Sequence, residues 1–205
     1  MPTPGPPSPT LTRPFRRADL VGMPSVTRLY TVDDVRALPD DGNRYETIAG
    51  ELFVTPAPTL RHQRVLARLH LLLGAYVERH GLGEVFFAPL DVVLGPMTLV
   101  EPDLLFVARD RSHVLTEREV AGAPDLAVEV VSPSTARTDR GRKRALYQDT
   151  HVREYWVVDV DLRQVEVWRA GATAAEVQRA LLVWQPQLGV AALEIDLETV
   201  FKESA

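Results

Sequence analysis

Two rhythms of apolar and polar positions run along this chain. Between 60 and 80, Val65, Leu66, Leu69, Leu72, Leu73, Tyr76 and Val77 recur at three- and four-residue spacing, which predicts a helix with one buried face. Gly81 stops it. Arg61, Arg64, Arg68 and Arg79 occupy the opposite side, whereas His62 extends the inward stripe into the first turn. Upstream, order begins near Leu29. Thr31, Asp33 and Asp34 predict a short capped helix ending by Pro39. Asp40 to Asn43 reads as a turn, and Arg44 to Thr55 as a hairpin turning at Ala49-Gly50 and closed by Pro56 and Pro58. Strands rich in Val, Leu and Phe are expected at roughly 84 to 94, 99 to 108 and 125 to 131. A second helix is expected over about 136 to 149, entered through Pro133, Ser134 and Thr135. Residues 154 to 169 predict a hairpin turning near Asp161 to Arg163, and 176 to 201 one or two strands around Pro186 to Gly189 with a final helical turn. This order indicates an α/β fold, a mixed sheet with helices on it.

Composition narrows the class. The chain has 205 residues, 45% apolar and 25% charged, enough for one domain with a core. No stretch approaches the ~18 consecutive apolar residues of a membrane span. With no cysteine, disulfides, thiolate zinc sites and cysteine nucleophiles are excluded, and five scattered histidines show no HExxH spacing. A formal net charge of -5 argues against a surface that wraps nucleic acid throughout, so any phosphate binding is local. Residues 2 to 9, PTPGPPSP, lead a Pro-rich tail over 1 to 28 that is expected to be disordered, ahead of a single domain over 29 to 205. Arg13, Arg16 and Arg17 precede no apolar run, so the start does not read as a secretory signal, and Met23 is a candidate start beside Met1. These features fit a cytoplasmic protein.

Two acids stand where strand phase calls for apolar residues. Asp103 is in phase with Leu105 and Val107, and Glu129 with Ala127 and Val131. Antiparallel pairing of these strands with Asp103 opposite Glu129 puts Leu105 opposite Ala127 and brings the carboxylates onto one face, about 5 Å apart at the backbone. Three outcomes are open for such a pair: a shared proton, a basic partner or a divalent cation. A solvated sheet end with ordinary edge acids is the bland alternative. The helix that follows groups Arg140, Lys143, Arg144 and Tyr147 along one side, from which a cation can reach the pair. An exposed basic face, with Asp139 and Lys143 as a surface pair, is the alternative there. Two carboxylates suit Mg2+ or Mn2+, and with a lysine and phosphate-binding arginines they describe metal-assisted phosphodiester hydrolysis. There is no GxxxxGK or GxGxxG loop, and Ser132 and Ser134 have no partnered His and Asp at readable spacing.

The phrases RYETIAGEL, RHQRVLARL, VEPDLLFV, GAPDLAVEVVSPST, a Lys with Tyr four residues later, and REYWVVD follow one another in this order. Together they resemble the Uma-two-type family of restriction-endonuclease-like proteins, within the PD-(D/E)XK nuclease superfamily, over about 29 to 170. The resemblance implies a restriction-endonuclease-like core of helix, three strands, helix and strand, with an added N-terminal hairpin. It makes Asp103 the acid of the PD motif and Glu129 the acid of the second half-motif. The lysine expected two residues on is replaced by Val131, and Lys143 is its natural substitute. The Val130 carbonyl is implied as a further metal ligand and His62 as a supporting catalytic residue. Gln63, Glu51 and Tyr147 are further supporting candidates, whereas Glu46 reads as hairpin structure.

The expectation is thus a Mg2+- or Mn2+-dependent endonuclease acting on DNA through Asp103, Glu129, Lys143 and His62, with a homodimer expected by analogy. A catalytically inactive interaction module of the same fold and a hydrolase of small phosphate esters are the alternatives.

Overall fold

The computed structural model describes residues 28–132 and 135–203. Residues 1–27 of the Pro-rich tail, both candidate start methionines and the helix-entry residues Pro133 and Ser134 lie outside them. The first described element is α1 (Val32–Arg36). Thr31 accepts from the Asp34 amide and the Asp34 carboxylate accepts from the Thr31 amide, so each side chain satisfies a free backbone donor. Strands β1 (Arg44–Ile48) and β2 (Glu51–Thr55) form the expected hairpin, paired from Arg44↔Thr55 to Ile48↔Glu51. Ala49 and Gly50 both take positive φ in its turn, as a two-residue hairpin loop requires. Helix α2 (Leu60–His80) starts at the Thr59 cap and ends at left-handed Gly81. Its inward stripe is buried except for Leu72, which lies at the margin of the stripe and is exposed.

The strands expected over 84 to 94 and 99 to 108 are each broken in two. Strands β3 (Gly83–Phe87) and β4 (Asp91–Gly95) flank Pro89, and β5 (Thr98–Val100) and β6 (Leu104–Ala108) flank Pro102. Proline has no N–H to give a ladder, so pairing stops at both points and the chain passes from one sheet to another. The two corners meet, the Ala88 amide donating to the Asp103 carbonyl at 3.1 Å. After β7 (Glu119–Ala121) and β8 (Leu126–Val131) comes a composite helix. It consists of α3 (Ala136–Thr138), a wide π turn over Asp139–Lys143, and α4 (Arg144–Asp149). Hairpin β9 (Glu154–Asp159) and β10 (Gln164–Arg169) follows, then β11 (Glu176–Gln178), β12 (Leu181–Trp184), β13 (Leu193–Asp196) and α5 (Leu197–Val200). Strands β12 and β13 stand on either side of residues 186 to 189, which form part of the loop between them, and α5 is the final helical turn.

Among the described residues three sheets result. The six-stranded sheet runs β11-β10-β9-β8-β6-β3 and is mixed, because β8 and β9 are parallel and its other neighbours antiparallel. The five-stranded sheet runs β2-β1-β5-β4-β7, so the N-terminal hairpin belongs to a second sheet, and β12 pairs with β13 alone. The β6–β8 register sets Leu105 opposite Ala127 and Leu104 opposite Val128, as strand phase predicts. One face of the six-stranded sheet packs Leu104, Val128 and Trp156 against Leu69 and Leu73 of α2 and against Leu182 and Leu197. The other face packs Leu105, Ala127 and Val157 against Tyr147, Val92 and Val100, joining the two sheets.

Gly83 is fixed by close approach. Its φ is +150°, and a Cβ there would sit 2.1 Å from the Val107 carbonyl oxygen, a backbone atom that cannot yield without moving β6. Gly74, inside α2, has nothing within 4 Å of such a Cβ. Gly83→Ala is therefore expected to lower stability by about 2–3 kcal/mol, and Gly74→Ala to raise it by about 0.5–1 kcal/mol through helix propensity. Urea unfolding of the two variants beside the parent checks both signs.

Candidate active site

Asp103 leaves the Pro102 corner one residue ahead of β6, and Glu129 lies inside β8, so the antiparallel register brings them to the same end of the sheet. Each is 2% exposed. Asp103 is held from three directions. Arg44 Nη1 donates to Oδ1 at 2.8 Å, while His62 Nε2 and the Val130 amide reach Oδ2 at 3.0 and 2.8 Å. Burial alone would push this carboxyl up; His62, Arg44 and the Val130 amide outweigh it and hold it at about 2.

Glu129 faces the composite helix. Lys143 Nζ lies 2.8 Å from its Oε1, and the Tyr147 hydroxyl donates to the same oxygen at 3.2 Å. The same ammonium lies 2.8 Å from Glu46 Oε1 and 4.0 Å from Asp139 Oδ1. Glu46 is fixed further by the Glu101 amide at 2.7 Å. Burial by itself would discharge Lys143, yet Glu129, Glu46 and Asp139 together raise it above the ordinary lysine value, so it stays an ammonium. Burial pushes the Glu129 carboxyl well above its usual range against the pull of Lys143, and burial raises Asp139 as well.

Asp103, Glu129, Lys143, His62 and Val130, all expected from the sequence, line one pocket of about 330 Å3. Tyr147 lies behind it, bonded to Glu129. Glu51 is at the surface, paired with Arg142 at 2.8 Å, and Gln63 is exposed; neither lines the pocket. The basic side expected on the helix is split. Arg140 turns to Asp159 and Glu166, and Arg144 stacks over Trp168 at 4.7 Å. A π turn advances each residue by less than the ~100° of an α-helix, so Lys143 falls further round from Arg140 than α spacing implies. The Asp139–Lys143 pair is buried, not a surface pair.

Three charged residues that line the pocket are not site candidates in the sequence reading: Glu46, Arg44 and Asp139. Glu46 is part of the site rather than mere hairpin structure. The strand-phase test that flags Asp103 and Glu129 flags it too, because Arg44 and Glu46 are in phase with Ile48, which packs against the core. Asp139 carries no such signal, since its burial comes from the β-strands packed beside the helix.

A family model described as "Uma2: Putative restriction endonuclease" matches residues 32–198. The chain belongs to the Uma2 family. Among solved structures it is similar to one described as a "putative nuclease belonging to DUF820" from Anabaena variabilis ATCC 29413. The TM-score is 0.70 at 20% identity, over 84% of this chain and 97% of that one. The likeness establishes the fold, a mixed α/β architecture shared with that protein. No curated protein matches.

The Uma2 pocket holds four carboxylates, Glu46, Asp103, Glu129 and Asp139, against the permanent cations of Arg44 and Lys143. Burial pushes Glu129 and Asp139 toward their neutral forms, and a hard divalent cation would take the place of the protons that this favours. Among the described residues no group of three or more His, Cys, Asp or Glu is arranged to hold an ion. The donor set fits instead the way Mg2+ is commonly bound, through one or two carboxylates with water and substrate phosphate in the other positions.

Lys143→Ala leaves Glu46 and Glu129 facing each other without their shared cation. In EDTA at pH 8 the variant is expected to lose about 3–5 kcal/mol. Because the folded-state pKa of Glu129 is raised, the folded protein holds a proton that the unfolded chain releases in the ordinary carboxylate range. Stability from this group is present below that range and lost as pH rises, so the deficit is expected to shrink at pH 5. Urea unfolding of parent and variant at the two pH values checks the sign.

Proposed function

We propose that this Uma2 protein is a divalent-metal-dependent endonuclease that hydrolyses phosphodiester bonds of DNA. The observation that carries the reading is the meeting of Asp103, Glu129 and the Lys143 ammonium in one pocket that holds more carboxyl groups than cations. Asp103, Glu129 and the Val130 carbonyl would hold Mg2+ or Mn2+. Such an ion, when bound, polarises a phosphoryl oxygen and lowers the pKa of a water.

The chain's own groups supply the rest. Lys143, kept charged by Glu129 and Glu46, offers an ammonium to the attacking water and to the charge that develops on the phosphate. Glu46 and Tyr147 act through Lys143 and Glu129 as positioning residues. His62 and Arg44 orient the Asp103 carboxylate, and the 7% exposed His62 also lines the pocket wall. Lys143 takes the part of the lysine absent at Val131, since an ammonium delivered from the next helix reaches the same carboxylate. The proposal carries with it a homodimer, by analogy with small nucleases in which two sites meet two strands, and a cytoplasmic setting. No helix among the described residues is long and apolar enough to cross a membrane.

One observation favours an inactive interaction module of the same fold. Both Asp103 oxygens are already engaged by Arg44, His62 and the Val130 amide. Metal titration separates the readings: a nuclease binds Mn2+ in a way that Asp103→Asn weakens, and a bare scaffold does not.

Plasmid and single-stranded DNA incubated with Mg2+ or Mn2+ test the activity directly. Cleavage is expected for the parent, with Asp103→Asn and Lys143→Ala each reduced by about 100-fold or more. Equal cleavage by all three proteins would place the activity elsewhere.

A further inference from the structure

Phe53 is the described phenylalanine that belongs to neither an apolar cluster nor a ring pair. In the β1–β2 register it stands directly opposite Glu46, and Thr55 stands opposite Arg44. Cross-strand partners project to the same face of a sheet, so Phe53 shares the face whose charged members hold Lys143 and Asp103. Its neighbour Leu52 points the other way, into the small core beneath α1. Phe53 is thus a half-buried aromatic beside the carboxylate floor, lining the pocket without packing into either of the large cores.

The segment that follows makes the pocket lip. Val54, Pro56, Ala57 and Pro58 are exposed and line the same pocket. Of the arginines that flank the pocket-lining segments, Arg142 pairs with Glu51 and Arg61 with Asp161 and Glu203, while Arg137 is exposed beside the pocket-lining Thr138. Recognition of duplex DNA draws chiefly on free Lys and Arg tracking phosphates along the helix. A polar floor that is 2–3% exposed at Asp103, Glu129 and Lys143, under an apolar aromatic wall, suits a different ligand. An unpaired nucleotide can put its phosphate on that floor and its base against the ring, whereas a stacked, paired base cannot turn to do so.

We propose that Phe53 is a stacking platform for an unpaired base and that the site accordingly takes single-stranded DNA in preference to duplex. The inference rests on the nuclease reading for its phosphate, but its test in binding does not depend on cleavage. Phe53 touches the substrate base and selects the strand; it takes no part in proton transfer or in charge at the phosphate.

The full chain is mixed with fluorescent single-stranded oligonucleotide, with the matched duplex, and with a single strand carrying 2-aminopurine, in Ca2+ to suppress hydrolysis. Single strand is expected to bind at least ~10-fold more tightly than duplex, with a change in 2-aminopurine emission that reports stacking. Phe53→Ala is expected to weaken single-strand binding by about 10-fold and abolish the emission change, while Phe53→Tyr retains both. Urea unfolding of Phe53→Ala verifies that the protein is folded. Equal affinity for the two DNA forms, or unchanged single-strand binding and emission in a folded Phe53→Ala, would overturn the proposal. Cleavage assays in Mn2+ then separate the two claims. No cleavage of any DNA, with strand preference and stacking intact, removes the nuclease reading alone. Equal cleavage of single strand and duplex removes the strand preference alone.

Discussion

The ammonium of Lys143 sits between Glu46 on β1 and Glu129 on β8, with Asp139 of its own helix behind it. Those strands belong to different sheets, so one buried cation joins the five-stranded sheet, the six-stranded sheet and the composite helix. Taking three or four charges out of water is costly, and their attraction offsets the cost only where the remaining hydrogen bonds are made. Here the Glu101 amide serves Glu46, and the Tyr147 hydroxyl serves Glu129. The two sheets therefore meet in an arrangement that satisfies a charge cluster as well as an apolar one.

Two prolines set the other half of the site. Pro89 and Pro102 end strand pairing where the chain changes sheet, and the residue after the second corner is Asp103. A carboxylate inside a regular strand would face one side of one sheet. At a corner it is within reach of β1 through Arg44, of α2 through His62 and of β8 through the Val130 amide. Three anchors from three elements leave it little rotamer freedom, the preorganisation that a group acting on phosphate or metal needs. The wide turn at Asp139–Lys143 has a matching effect on the helix, separating Lys143 from Arg140 so that one enters the pocket and the other binds Asp159 and Glu166.

The β1–β2 hairpin contributes both characters of the pocket. One face of it carries Arg44 and Glu46, which hold the charged floor, and Phe53, which walls it with an aromatic ring. The same two strands thus hold Lys143 and shape the wall above it. A change in the hairpin's register by one residue would exchange that face for the one bearing Leu52 and lose both functions together.

Much of this was legible in the order of residues. The cap at Thr31, the stop at Gly81, the hairpin turns, and the inward stripe of α2 are local features that neighbouring residues decide. Strand phase marks Asp103 and Glu129 as acids on apolar faces, and phase with pairing sets the β6–β8 register. Periodicity reports which face a side chain is on, but not what lies opposite that face. Glu46 and Arg44 entered the site because the second sheet meets the first there, and Asp139 because the composite helix is buried beside it, whereas Glu51 and Gln63 stay at the surface. The sequence by itself determined the elements and the two marked acids, because those depend on spacing of a few residues. Which cation met which carboxylate was decided only by tertiary packing, because the partners are 59 positions apart for Arg44 and Asp103 and charge interactions act through space.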